Sequence, residues 1–146
     1  MYEVLQFVHS YWAYLVVLVL TITTINSIGG LLADRPYGAR DMRLALFTLI
    51  TTHIQLLIGL VLYFVSPLGL KAINTYGMGE VMKNADLRLY VVEHPTVMIL
   101  TVILVTVGYS KHKKKLLSKP KFKMLTIFYA LGLVLMLSRI PWTAWF

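Results

Sequence analysis

The sequence predicts an all-α membrane protein, a single domain built as a four-transmembrane-helix bundle over residues 1–146. Three observations carry this expectation. Of the 146 residues, 58% are apolar and only 14% are charged. Mean hydropathy is +0.74. The apolar residues gather in four long stretches rather than spreading evenly. A soluble domain carries about 45–50% apolar and about a quarter charged residues. A core of this size could not hide so much apolar surface. A cytosolic enzyme domain and a disordered chain are thereby excluded. The absence of cysteine excludes a disulfide scaffold.

The first span is expected over residues 5–32. It does not read as a cleavable signal peptide, because only Glu3 is charged before it and its apolar run is too long. The second span is expected over 44–66, ended by Pro67 and Gly69, the third over 88–109 and the fourth over 124–142. Each has the roughly 19 or more residues needed to cross a hydrocarbon core of about 30 Å as a helix. In lipid every backbone polar group needs an internal partner, so helices are the form expected at these lengths.

The connections alternate in charge. Residues 33–43 carry Arg35, Arg40 and Arg43, and residues 111–123 carry seven lysines. The opposite connection, 67–92, balances Lys71, Lys83 and Arg88 against Glu80 and Asp86. The positive-inside rule places the two basic loops in the cytoplasm and both termini outside. The net charge of +8 then sets orientation and attracts anionic headgroups, with the lipid bilayer as the first partner and no nucleic acid. Within the outer connection, residues 71–84 are expected to form a short amphipathic helix that caps the bundle or covers a site. Tyr11, Trp12, Tyr14, Tyr63, Tyr90, Trp142 and Trp145 gather near the outer ends, where amphipathic rings settle.

Helical periodicity sorts each span into faces. Small and polar residues belong against neighbouring helices. Gln6, His9, Ala13, Thr23, Thr24 and Ser27 mark the interior of the first span; Thr48, Thr51, Thr52, Gln55 and Gly59 mark that of the second. His94, Met98, Thr101, Val105 and Gly108 form the stripe of the third, and Leu125, Phe128, Gly132 and Arg139 that of the fourth. The plainest use of these stripes is packing.

Ionisable groups inside a span are costly, so each is a candidate for function. His9 lies roughly 6 Å and His94 roughly 9 Å inside their spans at 1.5 Å per residue. Both spans begin on the outer side, so the two imidazoles are expected at similar depth. Arg139 is expected nearby, facing inward. His53 falls near the membrane middle, roughly 15 Å from the inner end, on a leucine-rich face. His112 is expected to be solvated among its lysines.

One chemistry that suits this set is haem b. It needs one or two imidazoles on facing helices, an apolar slot and a cation for the propionates. His9 and His94 are the expected axial pair and iron ligands, with His53 an alternative second ligand. Arg139 is expected at a propionate, and Phe128, Met98 and Val16 as walls. Without cysteine, covalent c-type attachment is excluded. Two other readings stay open. Each histidine can be satisfied by a neighbouring Thr, Ser or Glu in a purely structural role. Alternatively, His9, His53, His94 and Glu93 supply nitrogen and oxygen ligands for copper or zinc, or His94, Tyr90 and Trp12 line a quinone site. No hydrolase, zinc-protease or phosphate-loop motif is present.

Several strings carry a resemblance. They are His9-Ser10-Tyr11-Trp12, Arg43-Leu44-Ala45-Leu46-Phe47, His53-Ile54-Gln55-Leu56, Leu62-Tyr63-Phe64-Val65-Ser66-Pro67 and Glu93-His94-Pro95. The chain resembles, over nearly its whole length, a bacterial family of short four-span membrane proteins labelled cytochrome b-like. The resemblance implies an inner-membrane location and makes His9, His53 and His94 the positions that matter. The longer histidine-bearing core of respiratory cytochrome b subunits is missing, which argues against two haems in series. The expected function is haem-based electron transport or sensing, with quinone or other respiratory subunits as candidate partners. The alternative is a non-catalytic subunit that docks on a larger membrane complex.

Overall fold

The computed structural model describes residues 1–145. Among the described residues eight α-helices and one π turn follow each other, with no strand. Helices α1 (Tyr2–Leu32), α2 (Ala39–Val65), α6 (His94–Lys114) and α7 (Ser118–Ser138) form an up-down-up-down bundle. Around it α1 packs on α2, α2 on α6, α6 on α7, and α7 back on α1. Between α2 and α6 lie α3 (Leu70–Tyr76), α4 (Met78–Lys83), α5 (Ala85–Arg88) and a π turn, Leu89–Glu93. A last turn, α8 (Trp142–Trp145), follows α7. Four helices are long and apolar enough to cross a membrane. Leu18, Ile25, Leu57, Val61, Phe64 and Val134 point outward, each at least half exposed, which suits a lipid surround and not water.

The interior stripes are where periodicity places them. Thr23, Thr24, Ser27, Thr48, Thr51, Thr52 and Thr101 are buried. The Thr23 and Thr48 hydroxyls meet at 2.7 Å between α1 and α2. Trp12 Nε1 donates to Thr51 O at 2.9 Å, and Tyr129 OH crosses from α7 to Ala45 O at 2.9 Å. Such interhelical bonds contribute on average about 0.6 kcal/mol each in a membrane. Gly108 sets the closest approach of α6 to α7. A Cβ there would come within 2.5 Å of Phe128 Cβ.

Several boundaries depart from expectation, and α2 starts five residues early, at Ala39, which puts Arg40 and Arg43 on the helix rather than in the loop. The fourth helix starts six residues early and ends at Ser138 rather than at residue 142. Ser118 and Pro120 open it well, because proline fits a first turn, and Pro141 forbids its continuation. The 71–84 segment is two helices rather than one, broken at Gly77, whose φ of 83° only glycine adopts without strain. Ala72 and Val81 bury against Val91 and so cap the bundle. Finally, α6 continues to Lys114, with Lys111, Lys113 and Lys114 in its last turn, where they complement the helix dipole.

His112 is not solvated; it is fully buried. The cause is tertiary. The 33–38 connection folds over the end of α6, where Tyr37 N donates to Ser118 Oγ at 2.9 Å. Tyr109 O can only accept, so His112 Nδ1 donates to it at 2.6 Å. The neutral ring then accepts from Tyr37 OH at 2.8 Å through Nε2. Burial pushes the Tyr37 phenol above its ordinary range, which keeps that donor protonated. Beside it, Asp41 is 2% exposed and pairs with Arg35 at 3.1 Å.

Candidate functional site: a histidine-lined cavity

A cavity of about 200 Å³ lies between the four long helices in the half of the bundle that holds both termini. Its walls are mostly apolar, including Val16, Met98, Val102 and Met136. Into it project His9 from α1 and His94 from α6, with ring centres 6.2 Å apart and ring planes at 87°. Both are half-buried.

Local chain chemistry explains how His94 is held. The π turn ends with His94 N bonded five residues back to Leu89 O. π turns of this kind often mark functional positions. The next residue, Pro95, has no N–H for Val91 O, four residues earlier. Tyr63 OH takes over as donor to Val91 O at 3.0 Å. Tyr63→Phe should therefore lower stability by about 0.6 kcal/mol, with about 1.7 kcal/mol as the ceiling for such a bond. Reversible unfolding in detergent micelles would measure it.

Across the bundle, α7 has ended and Arg139 O lacks a helical donor. His94 Nδ1 donates to it at 2.8 Å. A carbonyl cannot donate, so this bond fixes the tautomer. In the neutral ring the Nε2 lone pair is left free, which is the arrangement a metal-ligating histidine needs. Among the described residues, neither His9 Nε2 nor His94 Nε2 has a hydrogen-bond partner.

His9 is seated against α2. Gln55 Nε2 donates to His9 O at 2.8 Å, and Gly59 leaves a notch for the ring. A Cβ at Gly59 would lie 3.1 Å from His9 Cε1. Two buried atoms on this seam, His9 Nδ1 and Gln55 Oε1, have no partner.

The other expected site residues are placed differently. His53 is not among the residues lining the cavity. Its Nδ1 donates to Leu49 O at 2.7 Å, and its Nε2 sits 3.3 Å from the Thr106 hydroxyl, so both nitrogens are occupied within α2 and α6. Arg139 does not face inward as expected. Its side chain is 44% exposed and lies 3.7 Å from Glu93 Oε1, because α7 ends one residue before it. What it offers the interior is its carbonyl. Glu93 also pairs with Arg88 at 3.0 Å, so one carboxylate lies between two guanidiniums beside the cavity. With Glu93 so engaged and His53 elsewhere, the His9–His53–His94–Glu93 ligand set is not assembled. Among the described residues no group of three or more His, Cys, Asp or Glu is placed to hold a metal ion.

Sequence reasoning did not identify the Arg139 carbonyl, the Tyr63 hydroxyl or the α7–α8 wall of Met136, Ile140 and Trp145. Two of them had a signal. Pro95 frees the carbonyl four residues before it, and Pro141 marks where α7 must stop.

No protein-family model, curated protein or solved structure matches this chain.

Proposed function

We propose that this chain is a b-type haem protein of the bacterial inner membrane, with His9 and His94 as axial ligands, serving electron transfer or sensing. The basic loops face the cytoplasm and both termini lie outside. One observation carries the reading. A metal–imidazole bond of about 2.0–2.1 Å, plus roughly 1.2 Å from nitrogen to ring centre, would separate two imidazoles sharing one metal by at most about 6.4–6.6 Å. The ring centres of His9 and His94 are 6.2 Å apart.

The donor set favours haem over a bare ion. Two imidazoles alone would leave a copper or zinc ion short of ligands. A haem iron brings four nitrogens of its own and asks the protein for two. When bound, haem b supplies one-electron iron chemistry whose potential follows axial ligand, burial and hydrogen bonding.

The chain's own residues do the rest. The Arg139 carbonyl orients His94 and raises its basicity. Gly59 and Gln55 seat His9. Arg88 and Arg139 together outnumber Glu93 by one charge, which leaves a positive remainder for a carboxylate at the cavity edge. The cavity is smaller than the roughly 300–1,000 Å³ usual for small-molecule sites. Met98 and Met136 in its wall are the adaptable side chains that would yield.

The test is an absorption spectrum of protein purified in mild detergent. A Soret band with α and β bands that sharpen on reduction supports the proposal. A colourless protein carrying stoichiometric membrane partners would sink it and favour a structural subunit. Gly59→Leu fills the notch beside His9 and should reduce retained haem several-fold with helical content unchanged, measured by pyridine haemochrome and circular dichroism.

A further inference from the structure

At the basic end, away from the histidines, a shallow groove of about 400 Å³ runs down the outside of α2. Arg40 and Arg43 form its mouth, and Leu44, Leu46, Phe47 and Ile50 form its floor. Both arginines are exposed. Among the described residues neither makes an ion pair or a side-chain hydrogen bond. Asp41, the carboxylate between them in sequence, does not neutralise them. It turns inward, where Asn26, Arg35 and the Gly38 amide hold it. Two guanidiniums are thus left uncompensated above an apolar floor.

We infer that this groove is a binding site for one anionic phospholipid, with the phosphate at Arg40 and Arg43 and an acyl chain along Phe47 and Ile50. Charge and length select this occupant. Guanidinium matches phosphate geometry in a planar, bidentate way. Against the two positive charges a singly anionic lipid brings one net negative charge, whereas in a zwitterionic lipid the headgroup's own cation offsets its phosphate and brings none. From Arg40 to Ile50 is about 15 Å of helix at 1.5 Å per residue, half of a hydrocarbon core of about 30 Å. The groove therefore has the depth of one leaflet, with its charge at the headgroup level. This inference does not depend on haem, and its test is read without it.

The experiment is native mass spectrometry of the detergent-purified full chain, titrated with phosphatidylglycerol or with phosphatidylcholine of equal chain length. Wild type should retain phosphatidylglycerol preferentially. The R40Q/R43Q double variant should bind it at least about tenfold more weakly, as expected for two basic contacts at an anionic headgroup. The K114Q/K115Q double variant removes the same charge from the same end but not from the groove, and should bind like wild type. Equal weakening in both double variants would mean diffuse surface charge and overturn the site. So would equal binding of the two lipids by wild type, a result that needs no variant to fold.

Discussion

His94→Ala is expected to abolish the α and β bands and to cut retained haem by at least roughly tenfold, the loss that about 1.4 kcal/mol of ligation would give. Under the proposed ligation the change would remove one of the two nitrogens that hold the iron, and it leaves the Arg139 carbonyl without its donor. His9→Ala should do the same. His53→Ala should keep the spectrum, because both His53 nitrogens are engaged by Leu49 O and Thr106. Added imidazole, which fits the vacated space, should restore the bands in His94→Ala and not create new ones in wild type. Unchanged spectra in both His9→Ala and His94→Ala would show that the iron is held elsewhere.

Asp41→Ala carries the largest expected cost in stability. Asp41 Oδ1 accepts from Asn26 Nδ2 at 2.7 Å and from Arg35 Nη2 at 3.1 Å, and Oδ2 accepts from Gly38 N at 2.8 Å. Deleting the carboxylate strands donors from three residues, Asn26, Arg35 and Gly38. Breaking a buried pair costs about 3–5 kcal/mol. Arg35 is 34% exposed and can turn to water, so the lower end, about 3 kcal/mol, is expected here. Asp41→Asn keeps an acceptor for one of the donors and should lose roughly half as much. Unfolding in mixed micelles would give both values, and the spectrum of the cavity half should not change below the transition.

The bundle was legible in the sequence because lipid imposes a simple rule, apolar outside and backbone satisfied within each helix. The threonine stripes and the shared depth of His9 and His94 followed from period and direction alone. What escaped depended on contacts between elements. His112 sits among lysines in sequence, and only the docking of Tyr37 onto Ser118 and α6 buries it. Arg139 continues the inward stripe of α7 by period, but the helix ends at Ser138, so its side chain swings out and its carbonyl turns in. His53 already differed from His9 in depth and in its leucine-rich face. The packing of α2 on α6 supplies what the sequence did not, a Thr106 hydroxyl 3.3 Å from His53 Nε2.

The π turn at Leu89–Glu93 also acts as a phase joint. One extra residue in that turn shifts helical register by about 100°, the rotation of a single α-helical step. Below it, His94, Met98 and Val105 follow the face that meets α7. Above it, Val91 turns toward Ala72 and Val81 of the cap. A continuous α-helix could not serve both faces with these residues. The joint lets the cap be tailored to one surface and the histidine stripe to another, so either can drift in sequence without rotating the other out of place.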